Sequence, residues 1–273
     1  MTGSTAIFRI LVPSDYSQVC RQALQACANF DWGRSVEVFV LTVQDPMQTQ
    51  AIAHKDQEQL SACFAGFPAN AKIILLEAQG RFVNTVLEVV ASKQIDLIIV
   101  GTRGARGWEG VFVGSHAEKI VRVSPVPVLA IGQRPHLDGL STIVVPVDID
   151  RNPDELRDCL AIFSGFFNAR FHLLYVKTNH TRSQHATVDL LAECNRKLGL
   201  AHCVSAVVNA EDVAKGIIGY AAQVGANMIA IPTMTNPDPA HMFRPSIAAD
   251  VVNHAPIPVF TCPLGQRQQL ISH

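Results

Sequence analysis

The chain of 273 residues has few charges and no long apolar run. Charged residues make up 16% of it and the net charge is −1, so it lacks the basic surface with which a general nucleic-acid binder displaces counterions. No apolar run approaches the roughly 20 residues that cross a bilayer. Because Met1 to Arg9 shows no basic segment followed by an apolar one, we expect no signal peptide, no membrane partner and a cytoplasmic location.

Cysteine and histidine occur, but not in the patterns that bind metals or form disulfides. The seven cysteines include no C-x-x-C pair, and the ten histidines show neither H-x-x-x-H nor H-E-x-x-H spacing. We therefore expect no zinc site and no disulfide framework, with most cysteines reduced and packed in the core. The cysteines are Cys20, Cys27, Cys63, Cys159, Cys194, Cys203 and Cys262.

An internal repeat organises the chain. Residues 96–128 align without a gap on residues 227–259 at a constant offset of 131 positions, which places Ser115 on Ser246. The segment RILVPSD at 9–15 corresponds to TIVVPVD at 142–148 at an offset of 133. Between the copies, residues 133–140 are polar and contain Pro and Gly, as linkers do. We therefore predict two domains, 1–136 and 141–273.

Within each copy, short apolar runs alternate with helical patterns. The runs 8–12, 36–43, 72–76, 97–100 and 126–131 predict five buried strands in the first copy. Helices are predicted from near Ser17, over residues 83–90, and from Asn152 in the second copy. This alternation indicates an α/β fold, with a doubly wound parallel sheet in each domain and a ligand site beyond the carboxyl ends of the strands.

The loop after the fourth strand carries the pattern G-x2-G-x9-G-S, formed by Gly101, Gly104, Gly114 and Ser115. Glycines let backbone N–H groups approach an anion closely. A helix that begins near Ser115 would add its unpaired N–H groups and its positive dipole end. The side chains of Arg103 and His116 are placed to add positive charge. The loop is therefore a candidate phosphate site.

Purely structural interpretations of these residues stay open. Ser115 with Glu118 forms a capping box, which explains the serine without a ligand. Glycines after a strand are also ordinary turn residues. Asp15 at the end of the first strand could accept hydrogen bonds from a ribose or an adenine amine, or it could cap the helix that follows.

These motifs together resemble the universal stress proteins in their tandem, two-domain form. The resemblance rests on ILVPSD at 10–15, LTV at 41–43, DLIIVG at 96–101, the glycine pattern, and the block from Ser115 to Val128. It implies two tandem five-stranded parallel-sheet domains of the adenine nucleotide α-hydrolase-like type, a flavodoxin- or Rossmann-like three-layer sandwich. It also implies an ATP site between the ends of the first and fourth strands.

The resemblance assigns roles to individual residues. Asp15 and the backbone at Val43 would hold adenosine, and Pro13, Ser14 and His116 complete the predicted nucleotide contacts. Gly101, Arg103, Gly104, Gly114 and Ser115 would wrap the phosphates. Two positions depart from the family pattern, since Ser14 stands where Thr is usual and Thr42 where His is commoner.

The second copy departs from the phosphate pattern more strongly. Pro232, Thr235 and Pro245 stand where the first copy has its three glycines, and proline offers no N–H to a phosphate. Asp148 and Ser246 remain. We therefore expect a degenerate second loop, with nucleotide bound in the first domain alone.

The resulting prediction is an ATP-binding regulatory module of the stress response, with or without Mg²⁺, and with AMP or another adenine nucleotide as alternative ligands. A slow ATPase or phosphotransfer enzyme is an alternative, although the chain has no G-x-x-x-x-G-K-[ST] loop. A nucleotide-free interaction scaffold is another. In the family the last strand pairs domains, which implies an internal pseudo-dimer and allows a further homodimer. Pro125 and Pro127 fit the start of an edge strand, since proline cannot donate a hydrogen bond within a central ladder.

Overall fold

The computed structural model describes residues 7–44, 54–102, 116–132, 140–148, 169–178, 184–200, 202–234 and 246–264, and four positions between 154 and 160. The strands are β1 (Phe8–Ser14), β2 (Val36–Gln44), β3 (Ala71–Gln79), β4 (Leu97–Gly101), β5 (Val128–Ile131), β6 (Thr142–Pro146), β7 (Arg170–Lys177), β8 (Cys203–Asn209), β9 (Met228–Met234) and β10 (Val259–Leu264). The helices are α1 (Gln18–Asn29), α2 (His54–Phe64), α3 (Phe82–Ser92), α4 (His116–Val123), α5 (Gln184–Leu198), α6 (Val213–Gln223) and α7 (Ile247–His254).

The strands form one sheet of ten in the order β3-β2-β1-β4-β5-β10-β9-β6-β7-β8. Within each half all neighbours are parallel, as the doubly wound prediction requires. The halves meet where β5 and β10 pair antiparallel, with Leu129 opposite Phe260. The two predicted five-stranded sheets are thus confirmed, and the last strands join them into a single internal pseudo-dimer.

Both faces of the sheet are covered, because successive strand residues pack into different core layers. Ile10 and Val12 belong to a core cluster that contains residues of α1, α2 and α5, whereas Leu11 belongs to a second cluster with residues of α3, α4, α6 and α7. All three of these strand residues are fully buried. This explains why the central strands read as continuous apolar runs rather than as alternating ones.

Two strand predictions need correction. The run at 72–76 is not wholly buried, because β3 is an edge strand and Leu75 is 62% exposed. The fifth strand begins at Val128 rather than Val126, and it is not an edge of the whole sheet, since β4 and β10 flank it. Pro125 and Pro127 therefore precede the strand, where a missing N–H interrupts no ladder.

Helix α1 begins where the sequence predicts it. Ser17 is its N-cap, and the Ser17 hydroxyl accepts a hydrogen bond from the Cys20 N–H at 3.3 Å. The predicted helix start at Asn152 and Pro153 lies outside the described residues, as does the linker apart from Leu140, which is buried. None of the helices described combines the length and the apolar character that a bilayer crossing needs.

Candidate functional site

The candidate site of the first half lies at the carboxyl ends of β1, β2 and β4. Strand β1 pairs with β2 on one side and with β4 on the other. The chain leaves β1 toward α1 on one face of the sheet, and the helix after β4, α4, packs on the opposite face. This is the switch point at which doubly wound sheets bind ligands. Pro13, Ser14, Val43 and Gly101 all lie at these strand ends.

The turn after β1 is fixed by its own side chains. Asp15 is exposed, and its carboxylate accepts a hydrogen bond from the Ser17 N–H at 3.0 Å. Because Ser17 caps α1, the alternative in which Asp15 is the helix cap is wrong. Ser14 is buried, and its hydroxyl accepts a hydrogen bond from the Tyr16 N–H at 3.3 Å. The Asp15 side chain is thereby held at the rim, where it is exposed to solvent.

Tyr16 is a site residue that sequence reasoning missed. Its φ of 60° lies in the left-handed region, which a bulky residue seldom adopts and which is common at functional sites. Its hydroxyl accepts a hydrogen bond from the Thr42 hydroxyl at 3.4 Å, so the side chain reaches from the β1 turn to the end of β2. The only sequence signal was its place between a strand end and a helix cap.

Gly101 has a packing role that the phosphate interpretation did not contain. A Cβ at this position would lie 2.2 Å from the Val19 carbonyl oxygen and 2.5 Å from its carbon. No real Cβ approaches backbone this closely, so glycine is required for β4 to end against the first turn of α1. Gly101 thus allows β4 to approach the backbone of α1, and its predicted contact with a phosphate stays a prediction.

His116 opens α4 and faces the same rim. Its ring stacks on Phe82, the first residue of α3, with centroids 3.9 Å apart and an interplanar angle of 17°. Desolvation and the charge of Lys119 lower the pKa of His116 below its ordinary value of 6.5, while the negative charge of Asp15 opposes this shift. Asp15 and His116 are therefore within electrostatic reach of each other. The lowered pKa favours the neutral imidazole of His116, and the positive charge expected from this residue stays a prediction.

The remaining predicted phosphate contacts, Arg103, Gly104, Gly114 and Ser115, lie outside the described residues.

Phe82, the stacking partner of His116, is the second residue that sequence reasoning missed. It lies 34 positions before the histidine, so only the packing of α3 beside α4 brings the two rings together.

The second half builds the corresponding rim from different residues. Pro146 ends β6 and Asp148 is exposed just beyond it. In the described residues, β9 pairs with β6 only at Met228 and Ile229, and Pro232 follows this pairing in β9. Ser246 caps α7 by accepting a hydrogen bond from the Ala249 N–H at 3.3 Å. Thr235 and Pro245 lie outside the described residues.

Five of the six described cysteines are buried, as expected for cysteines packed in the core. Cys20 lies beneath the β1 turn, where desolvation raises the pKa of its thiol to about 11, so it stays protonated and unreactive at neutral pH. Among the residues that the structure describes, no three metal-ligating side chains cluster.

Comparison with known proteins gives the chain a consistent set of relatives. The profile of the universal stress protein family matches it twice, at residues 7–132 and 140–263. A universal stress protein of Methanocaldococcus jannaschii is 25% identical over 143 residues, which cover 47% of this chain and 84% of that protein. One of Thermus aquaticus is 35% identical over 66 residues, 24% of this chain and 46% of that protein.

Solved structures show the same fold over nearly the whole chain. A universal stress protein from Archaeoglobus fulgidus superposes with a TM-score of 0.71 at 19% identity, and the match covers 94% of this chain and 98% of that one. A protein of unknown function from Pseudomonas aeruginosa superposes with a TM-score of 0.65 at 15% identity, covering 97% and 96%. At such identities the likeness concerns the architecture alone.

Proposed function

The chain belongs to the universal stress protein family, and from that premise we propose that it binds an adenine nucleotide in its first half and acts as a regulatory binding module of the stress response. The observation that carries the proposal is the placement of Asp15, just after β1, and His116, at the start of α4, beside the strand ends where β1 pairs with β4. Both belong to the set that the sequence marks for nucleotide contact. They approach the rim from β1 and from α4, on either side of the switch point.

The described residues fit the adenosine part of such a ligand. The Asp15 carboxylate is exposed beyond its hydrogen bond to Ser17 and can accept from ribose hydroxyls or from an adenine amine. Val43 offers backbone groups at the end of β2, beside the pair formed by Thr42 and Tyr16. Burial and Lys119 lower the pKa of His116, which favours a neutral imidazole that donates or accepts a hydrogen bond over a fixed cation.

The phosphate contacts are proposed from the sequence pattern. Gly104, Gly114 and Ser115 would supply backbone N–H groups and a hydroxyl, and Arg103 a positive charge. The second half carries prolines at two of the three glycine positions, so we propose one nucleotide per chain. We propose binding without turnover, since the chain has no G-x-x-x-x-G-K-[ST] loop, whose lysine and hydroxyl normally support hydrolysis.

Calorimetric titration of ATP with Mg²⁺ tests the proposal. Wild type is expected to bind one equivalent, and Gly114→Pro, which copies Pro245 into the first half, is expected to bind none. Asp15→Asn should weaken binding about tenfold to hundredfold, since a hydrogen bond to a charged acceptor is lost. The matched control is Asp148→Asn, which changes the equivalent residue of the second half and should leave the affinity unchanged.

Two equivalents of ATP in wild type would overturn the single-site proposal. No binding would support a nucleotide-free scaffold instead. Phosphate release in the same samples, measured under saturating ATP, separates a binding module from a slow ATPase. Titration with AMP under the same conditions shows whether the phosphates contribute to the affinity.

A further inference from the structure

The second half contains a cavity at the rim where the first half has its candidate nucleotide site. The cavity has a volume of about 540 Å³, which is within the range of pockets that bind drug-sized molecules. Its floor is formed by the ends of β6, β7 and β9, and its walls by α6 and α7. Residues of α4, from the first half of the chain, close the remaining side.

The lining of this cavity is apolar at positions where the first half is polar or open. Strand register and the sequence repeat place Val147 at the position of Ser14, Pro232 at that of Gly101, and Ile247 at that of His116. All three second-half residues line the cavity. Each change removes a hydrogen-bonding group from the rim, so the second site is converted in chemistry rather than merely lost.

Its volume has a similar origin. The repeat places Val213 of α6 at the position of Phe82, whose ring fills the space against His116 in the first half. A valine with an isoleucine opposite it, at 247, leaves more room than a stacked pair of rings. Val213 and Ile247 both line the cavity.

The charged groups at the cavity leave little attraction for a polyanion. Arg122 of α4 lines it, but its guanidinium pairs with Glu118 at 2.8 Å and its side chain is only 10% exposed. The other charged lining residue is Asp148, which repels anions. Pro232 has no N–H to donate. Ser246 and the first turn of α7 also line the cavity, and the Ser246 hydroxyl already accepts a hydrogen bond from the Ala249 N–H at 3.3 Å. The rim therefore offers a phosphate fewer donors than the glycine loop predicted for the first half, and it suits an uncharged molecule.

One buried polar side chain in the lining can orient a ligand in the cavity. Thr233 lines it and is 7% exposed, and within the described part of the chain its hydroxyl makes no hydrogen bond. A buried hydroxyl without a partner is costly, and a ligand with one donor or acceptor would satisfy it.

We propose that the second half binds a neutral, predominantly apolar small molecule, whose single hydrogen-bonding group meets Thr233. The site is separate from the nucleotide site proposed for the first half. Helix α4 lies beside both, since it begins at the first rim with His116 and lines the cavity with Arg122.

Fluorescence titration with N-phenyl-1-naphthylamine tests this proposal. The probe is neutral and apolar, carries one N–H, and brightens in an apolar site. Wild type is expected to show saturable binding of one equivalent. Val213→Phe, which places the first half's larger residue in the cavity, should weaken binding at least about tenfold. The matched control is Val204→Thr, at a valine of the same half that is 45% exposed on β8 and should not affect the probe.

Ile247→His supplies a second variant in case Val213→Phe fails to fold. Ile247 is 47% exposed, so histidine is tolerated there, and it should also weaken the probe. Absence of saturable binding to wild type would overturn the proposal, and so would wild-type affinity in a folded Val213→Phe. Competitive displacement of the probe by Mg²⁺–ATP that persists in Asp15→Asn would also overturn it, by making the cavity a nucleotide site.

Discussion

The carboxyl rim of the first half and that of the second are built by equivalent strands and helices, yet they differ in chemistry. The sheet beneath them is the same, since Ile10 in β1 and Ile143 at the corresponding position of β6 are both fully buried. The differences lie at the strand ends and helix starts. They pair Ser14 with Val147, Thr42 with Tyr175, Gly101 with Pro232, and His116 with Ile247. A duplicated scaffold can therefore keep its core and change its ligand by a few substitutions at the rim.

The interface between the halves is also asymmetric. The Glu118 carboxylate accepts hydrogen bonds from Arg122 within α4 and from Asn253 of α7 at 3.1 Å. The repeat places Ala249 at the position of Glu118 and Asn253 at that of Arg122. The first half thus supplies the ion pair at the junction, together with the arginine of the second half's cavity.

The largest effect is expected from Phe260→Ala, which asks whether the halves are one unit. Phe260 is fully buried in β10 opposite Leu129, and removing a buried phenylalanine side chain lowers the free energy of unfolding by about 3–5 kcal/mol. Urea unfolding followed by circular dichroism measures the change. Leu75→Ala, at a side chain that is 62% exposed, should shift stability by less than about 0.5 kcal/mol.

The same experiment reports on cooperativity, because both tryptophans, Trp32 and Trp108, belong to the first half. If the ten-stranded sheet unfolds as one unit, tryptophan fluorescence and circular dichroism give coincident transitions in wild type and in Phe260→Ala. A variant whose dichroism transition falls while its fluorescence transition stays in place would show that the second half unfolds alone.

A smaller loss of stability, about 1–3 kcal/mol, is expected from Gly101→Ala. The new methyl group would collide with the Val19 backbone, so β4 or α1 must shift. The control is Gly219→Ala in α6, where an added Cβ meets nothing within 4 Å. Alanine is the better helix former there, so stability should rise by up to about 1 kcal/mol.

Equal effects of the two alanines would contradict the packing role of Gly101. A stable Gly101→Ala that has lost nucleotide would instead point to the phosphate role alone. The comparison with the second half is direct, because Pro232 already carries a Cβ at the equivalent position.

The sequence predicts the repeat, because the two copies align, and it predicts the α/β fold class and the start of α1, because these follow from local patterns. Apolar runs identify buried strands, and Ser17 carries the capping chemistry of a helix start. Strand limits at the prolines and at the edge strand β3 were less accurate. Whether an apolar residue such as Leu75 is covered depends on which strand lies beside it, which no local pattern records.

The sequence places the candidate site at the strand ends, but it does not predict the contacts between the residues there. Asp15 and His116 come from motifs, and their common rim follows from topology. The stacking of Phe82 on His116, the bond between Thr42 and Tyr16, and the approach of Gly101 to Val19 join residues that are distant in sequence or depend on backbone placement. The cavity of the second half also depends on tertiary packing, since Val213 and Ile247 line it together from different helices.

The smallest expected effect concerns the protonation of His116, and it tests the geometry of the first rim. Desolvation and Lys119 lower its pKa, and Asp15 opposes them. Lys119→Gln should therefore raise the pKa and Asp15→Asn should lower it further, as followed by NMR titration of the imidazole. His172 of the second half, whose pKa is lowered by desolvation and by Arg170, is the internal control and should not move. An unchanged His116 in Asp15→Asn would place the two side chains too far apart for a shared ligand.

The same titration compares the halves when Ile247→His places an imidazole at the start of α7. In α4 the residue three positions after the histidine is Lys119, whereas in α7 it is Asp250. A negative neighbour favours the imidazolium and a positive one disfavours it, so the new histidine should titrate above His116.

The lowered pKa of His116 also makes stability depend on pH. Because the unfolded chain binds more protons than the folded one, the free energy of unfolding should fall as the pH drops through the ordinary pKa of histidine and down to the lowered one. The histidine of Ile247→His should not add to that loss. If both imidazoles titrate together, the charge pattern of the two helices does not set the difference between the rims, and the burial of each position does.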